Sequence, residues 1–110
     1  MDRDIEKRIH ERLLAGDPTA SAEVAEQFLI PIVRSLKANY NNTDKDTIID
    51  AAVDAILNYS QNPQSYNPSK CSLTTYLYMS AKGDLLNYIQ KKKLRLAKEI
   101  ISDLLYDNIL

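Results

Sequence analysis

Glycine occurs twice in this chain of 110 residues, proline four times, cysteine once and tryptophan not at all. So little glycine and proline, beside many Leu, Ile, Ala, Lys and Glu residues, favours helix over sheet. The single cysteine, Cys71, excludes an internal disulfide and suits a reducing cytosol, where it reads as a small packing residue. No stretch approaches the roughly 18 consecutive apolar residues of a membrane span. The charged start, Met1-Asp2-Arg3-Asp4, lacks the apolar region of a signal peptide. A cytoplasmic protein with no membrane partner is expected. Catalytic patterns are scarce as well: His10 is the only histidine, and no glycine-rich phosphate loop, metal-ligand spacing or isolated carboxylate pair accompanies it. Neither enzyme chemistry nor a metal or other cofactor is expected.

What is present suits one domain with a modest core, since 45% of the residues are hydrophobic. The net charge of −1 hides a strong asymmetry. Residues 1–66 hold 7 Lys/Arg and 11 Asp/Glu, whereas residues 67–98 hold 7 Lys/Arg against Asp84 alone. Residues 99–110 add only Glu99, Asp103 and Asp107. Two surfaces are expected, one acidic and one basic.

Apolar periodicity points to an all-α fold, a compact bundle of about four main helices over residues 1–98, followed by a tail or linker start at 99–110. The first helix, about Asp4 to Leu14, carries Ile5, Ile9 and Leu13 inward, and Gly16 stops it. Asp17-Pro18 caps a second helix with Ala22, Ala25, Phe28, Leu29, Ile32, Val33 and Leu36 toward the core, kinked or broken at Pro31. Thr43 and Asp46 form a capping-box-like start to a third helix with Ile49, Val53, Ile56 and Leu57 inward. Its Asp46, Asp50 and Asp54 make an acidic ridge, which by itself reads as a solvated face. After a polar loop from Gln61 to Cys71, Ser72 caps the longest helix, which runs from Leu73 to Lys93 or Lys98.

A helical wheel divides that last helix into two faces. Leu77, Ala81, Leu85, Tyr88 and Ile89 point to the core, while Tyr76, Met79, Ser80, Gly83, Leu86, Asn87 and Gln90 gather opposite them. Lys70, Lys82, Lys91, Lys92, Lys93, Arg95 and Lys98 flank or follow the second face. Cations offset phosphate charge, a ring stacks on an unpaired base and amides read base edges, so the combination suits a nucleic-acid strand. Read singly, Tyr76 also fits packing against a neighbouring segment, and the lysines fit a solvated helix end. Gly83, costly inside a helix, suggests close backbone approach to a ligand or another helix.

From Asp44 to Lys93 the order of features resembles region 2 of the bacterial RNA polymerase sigma factors. D-K-D-T-I-I-D-A-A-V-D-A-I-L-N-Y is similar to the segment that grips the coiled coil of the polymerase β′ subunit. S-Y-N-P-S-K-C-S-L-T-T-Y-L-Y resembles the loop and aromatic helix start that open promoter DNA, and A-K-G-D-L-L-N-Y-I-Q-K-K-K-L-R the remainder of the minus-ten recognition helix. L-L-A-G-D-P-T-A-S-A-E-V-A-E-Q-F resembles the beginning of the short extracytoplasmic-function sigma factors.

The resemblance implies core RNA polymerase and the non-template strand of promoter DNA as partners, and it admits an anti-sigma factor. It implies polymerase contacts at Asp46, Asp50, Asp54 and Asn58, and DNA contacts at Tyr66, Lys70, Tyr76, Met79, Ser80, Lys82, Gly83, Leu86, Asn87, Gln90 and Lys91. Tyr76 matches the aromatic that stacks at the melted promoter, and the loop from Gln61 to Cys71 the segment that cradles a flipped base. Met79-Ser80 stands where housekeeping members carry a tryptophan pair, and Gly83 offers no side chain where a base-reading group is usual. The sequence holds no second helix-turn-helix domain for the minus-thirty-five element, so it reads as part of a longer chain or as a module that needs a partner. Two other functions remain open from the residues: a helical DNA-binding regulator with no polymerase partner, and a protein-interaction adaptor that melts no promoter.

Overall fold

Among the described residues there are four α-helices, α1 (Arg3–Leu14), α2 (Ala20–Asn39), α3 (Lys45–Gln61) and α4 (Leu73–Ile109), with one 3-10 turn at Pro63–Ser65. The computed structural model describes residues 2–109, and no strand occurs among them. The all-helical bundle expected from the periodicity is therefore the fold.

Each helix boundary has a local cause. Gly16 takes a φ of 82° after α1, and the Gly16 and Asp17 amides donate to the Leu13 and Arg12 carbonyls at 3.1 and 3.0 Å. This is a Schellman ending, in which the left-handed residue is best filled by glycine. The Asp17 carboxylate then accepts from the Thr19 amide and hydroxyl at 2.9 and 2.8 Å and from Arg12 at 2.9 Å. Those bonds, with the Thr19 amide foremost and Arg12 next, lower the Asp17 carboxyl to about 2. Arg12 also pairs with Glu23, so one guanidinium ties α1 to α2 across the corner.

α2 passes through Pro31 without the break expected there. Pro31 removes the bond to the Gln27 carbonyl, but both residues lie on the exposed side, where that oxygen is not forced into the core. α3 starts one residue away from the expected cap. Asp44 rather than Thr43 accepts from the Thr47 amide at 3.1 Å and its hydroxyl at 2.9 Å. Ser72 caps α4 as expected, accepting from the Thr75 amide at 3.1 Å.

The core joins Ile9 and Leu13 of α1 to Val24, Phe28, Ile32 and Leu36 of α2, Ile48, Ala51, Ala52, Ala55, Ile56 and Tyr59 of α3, and Leu73, Leu77, Ala81 and Leu85 of α4. Small alanines on α3 let α4 lie close, while the large side chains of α2 fill the far side. Ile5, Ala22 and Leu57, expected inward, are exposed instead. Leu77, Ala81 and Leu85 of α4, and Ile9, Leu13, Phe28, Ile32, Leu36 and Ile56, are buried as expected, and the shifts are local: Val24 and Ile48 are inside, and Glu6 and His10 displace Ile5 on α1.

The buried polar residues Glu6, His10 and Thr47 are paired, whereas one buried oxygen, Asp84 Oδ2, has no hydrogen-bond partner among the described residues. Glu6 is 3% exposed and accepts from the Leu73 amide at 3.0 Å, the Thr74 amide at 3.3 Å and the Thr74 hydroxyl at 2.6 Å. A carboxylate from α1 thus completes the N-terminus of α4, where unpaired amides and the helix dipole both favour negative charge. His10 shares a 2.6 Å hydrogen bond with the Tyr59 hydroxyl, and burial lowers its pKa, partly opposed by Glu11.

The largest departure from expectation is the far end of α4. The helix does not stop at Lys93 or Lys98, and residues 99–109, expected as a tail or linker start, continue it. From Lys91 to Ile109 every residue is exposed, and the helix projects beyond the bundle, giving extents of 63 × 27 × 24 Å. No helix among the described residues is long and apolar enough to cross a membrane.

Candidate nucleic-acid interface

The outer face of α4 is built by the packing of its inner face. Leu73, Leu77, Ala81 and Leu85 are fully buried, which fixes the helix rotation and turns Met79, Gly83, Leu86, Asn87 and Gln90 to solvent. Ser80 and Lys82 lie half-buried at the edges of that face, and Lys70, Lys91 and Lys93 are exposed around it. Met79 and Leu86 offer apolar contact surface, Asn87 and Gln90 offer amide donors and acceptors, and the lysines supply cations at either end. A β-carbon at Gly83 meets nothing within 4 Å, so no close approach within the chain explains this glycine.

The two tyrosines expected at the nucleic acid sit deeper than the rest. Tyr66 is 6% exposed, and its hydroxyl donates to the Cys71 carbonyl at 2.7 Å. Tyr76 is half-buried, with its hydroxyl 3.1 Å from Ser65 Oγ and its ring centre 5.0 Å from that of Tyr66. Both belong to an aromatic cluster with Tyr59 and His10, in which His10 meets Tyr66 edge-on at 4.9 Å. Their rings therefore anchor the 62–71 loop to α1, α3 and α4, and a freely presented stacking ring is not the role this packing gives them. Burial pushes the Tyr59 and Tyr66 hydroxyls above the usual range, so both remain protonated hydrogen-bonding groups at neutral pH.

Sequence reading missed the contribution of α1. An open cleft of about 660 Å³ lies between α1 and the loop, lined by Arg3, Glu6, Lys7, His10, Gln64 and Tyr66 among others. Its floor is aromatic, and its lining sets Arg3, Lys7 and Gln64 among the carboxylates of Asp4, Glu6 and Glu11, which suits a planar, hydrogen-bonding ring. Arg3 and Lys7 lie one turn apart on α1, a spacing visible in the sequence, but nothing local shows that this helix faces a loop some sixty residues away.

The acidic ridge of α3 is divided by its neighbours. Asp46, Asp50 and Asn58 are exposed, whereas Asp54 is half-buried and accepts from the Tyr88 hydroxyl of α4. That bond and partial burial push the Tyr88 hydroxyl up to about 12. Burial, with the Asp54 charge behind it, raises the Asp84 carboxyl nearby. Lys92 reaches back to Thr47 Oγ1 at 2.6 Å and to Asp44 at 3.7 Å. The acidic and basic segments are thus not two separate surfaces. They meet in a groove lined by Asp50, Asp54, Tyr88, Lys91, Lys92 and Arg95.

No group of three or more metal-ligating side chains occurs among the described residues. In comparison with known proteins, the chain matches no family model, no curated protein and no solved structure.

Proposed function

We propose that this domain is a transcription-initiation module that docks on core RNA polymerase and recognises and melts the minus-ten promoter element. The observation that carries the proposal is the outer face of α4, where exposed Met79, Leu86, Asn87 and Gln90 form a base-contacting strip between lysines. The charge of residues 67–98 supports backbone contact in the same region, and the sigma-like order of features supplies the identity of the target.

The division of labour follows from exposure. Asp46, Asp50 and Asn58 on α3 contact polymerase, while Asp54 holds Tyr88 and acts on that surface only by support. Leu86, Asn87 and Gln90 meet the unpaired non-template strand, and an extruded base enters the cleft beside Arg3, Lys7 and Gln64. Unstacking costs a few kcal/mol per step, and each base stacked again returns about 1–3 kcal/mol. One captured base therefore offsets only part of the opening of a step, and polymerase contacts supply the remainder.

Co-elution with bacterial core polymerase in size-exclusion chromatography tests the docking half. The chain is expected to co-elute and Asp46→Lys/Asp50→Lys to be excluded from the complex while keeping its helical circular dichroism. Binding to promoter duplex alone, with no polymerase association, would instead support a DNA-binding regulator. Polymerase association with no effect of Asn87→Ala or Leu86→Ala on promoter opening would support an adaptor.

A further inference from the structure

The exposed far half of α4 is not a simple continuation of the half packed in the bundle. Eighteen residues make five turns of helix, so positions eighteen apart share a face. The core positions Leu77, Ala81 and Leu85 project onto Arg95, Glu99 and Asp103, all charged. The outer positions Met79, Gly83 and Leu86 project onto Ala97, Ile101 and Leu104, all apolar. Beyond the bundle the apolar side of the helix has therefore moved to the face opposite the core. Leu94, Ala97, Ile101, Leu104 and Asn108 follow one another at alternating spacings of three and four, with Ile100 and Leu105 on the borders. All are exposed, Leu94 to 60%, Ile101 and Leu104 to 58%. A run of three- and four-residue spacings with apolar occupants is the seam of a helix pair, and this one has no partner within the chain.

The charges beside the seam select the occupant. Residues 91–98 carry Lys91, Lys92, Lys93, Arg95 and Lys98 and no acid, whereas residues 99–109 carry Glu99, Asp103 and Asp107 and no base. A parallel second copy would set cations on cations. An antiparallel second copy sets the basic half of each helix against the acidic half of the other and opposes the helix dipoles. With the symmetry axis near Glu99, Leu94 meets Leu104, Ala97 meets Ile101 and Gln90 meets Asn108 of the second copy. Lys93 and Asp107, on the same border of the seam, come opposite each other twice. This is an isologous two-fold contact, self-complementary in apolar surface and in the Lys93–Asp107 pairs, with Lys98 beside the axis as the one like-charge approach.

We propose that the 90–108 segment of α4 is a homodimerisation element, pairing antiparallel with the same segment of a second copy. The contact ends at Gln90, the one outer-face residue that a strand and the second copy would share, so Met79, Gly83, Leu86 and Asn87 stay uncovered, and the two outer faces stand about 48 Å apart along the paired helices, at 1.5 Å per residue. The inference does not depend on the promoter reading. A dimer can form whether or not the chain meets polymerase.

Sedimentation equilibrium on the intact chain tests it, supported by disulfide trapping in a Cys71→Ser background. The expected result is a dimer that Ile101→Lys/Leu104→Lys converts to monomer with unchanged unfolding of the bundle, since neither side chain touches the core. Lys93→Asp and Asp107→Lys, each alone, should shift the equilibrium toward monomer, and the two together should restore the dimer. Ile100→Cys, beside the axis, should cross-link to itself, whereas Ile109→Cys should not. A monomer at every concentration, a dimer indifferent to the seam substitutions, or self-cross-linking at Ile109→Cys in preference to Ile100→Cys would each overturn the proposal.

Discussion

The two halves of α4 share one backbone hydrogen-bond ladder and differ in what holds them. Between Leu73 and Ile89 the helix is sewn into the bundle by four fully buried side chains, by Glu6 at its N-terminus and by Asp54 through Tyr88. Between Lys91 and Ile109 no residue is buried, and the inward contacts are those of Lys92. Isolated helices shorter than about 12–15 residues are marginal in water, so the outer half depends on its continuity with the inner one and on whatever pairs with its seam. Rigid support for the outer face that we propose for recognition comes from the first half, and an unpartnered apolar surface comes from the second.

The widest gap between the halves should appear in core truncation. Leu77→Ala removes a fully buried side chain and should cost about 2–5 kcal/mol in urea unfolding. Leu104→Ala, one face and many turns away, should stay within about 0.5 kcal/mol at a dilution where copies are separate. Similar losses at both positions would mean that the outer half packs on the bundle, and the contrast would collapse.

Next in size is the polar joint at the start of α4. Glu6→Ala strands the Leu73 and Thr74 amides and the Thr74 hydroxyl, a loss of about 1–3 kcal/mol. Glu6→Gln, which keeps an acceptor, should lose less. Equal effects of the two would show that negative charge at the helix end, rather than hydrogen bonding, dominates.

Gly83 sharpens the comparison in the opposite direction. Nothing lies within 4 Å of an added β-carbon, so Gly83→Ala should stabilise the helix by up to about 1 kcal/mol. If the same variant loses promoter opening while gaining thermal stability, the glycine serves a strand that approaches the backbone. A variant unchanged in promoter opening would assign no such role to it.

The smallest effect concerns pH. His10 has a folded pKa below its ordinary 6.5 because burial disfavours the imidazolium. The unfolded chain therefore binds the proton first as pH falls through 6.5, and stability declines from there down to the folded value. His10→Gln should flatten this slope in thermal melts. Asp17 acts lower on the scale, contributing stability above 3.8 that is lost as pH falls toward about 2.

The fold was legible where periodicity is strong and the residues have one reading. Leu77, Ala81 and Leu85 at i, i+4 and i+8 set the rotation of α4 correctly, and with it the exposed strip from Met79 to Gln90. Gly16 and Ser72 named two helix ends because their chemistry is local. Burial of Glu6 and His10 was not legible, since their partners at Leu73, Thr74 and Tyr59 come from distant chain. For the same reason Tyr66 looked like a ring in a polar loop and Tyr76 like one on the outer face of the last helix or against an unnamed neighbour, although four elements converge on them. The length of α4 was misjudged because its apolar face changes side near Gln90, which breaks a single-stripe reading of the tail.

The most direct test of the central proposal is promoter opening, followed by fluorescence of 2-aminopurine placed in the minus-ten element of a promoter selected with the core-bound chain. Core polymerase with this chain should raise the fluorescence as the base unstacks. Leu86→Ala/Asn87→Ala should abolish the rise while polymerase co-elution and thermal stability persist. A full rise with the double variant, or none with the unaltered chain bound to polymerase, would contradict minus-ten recognition by the outer face of α4.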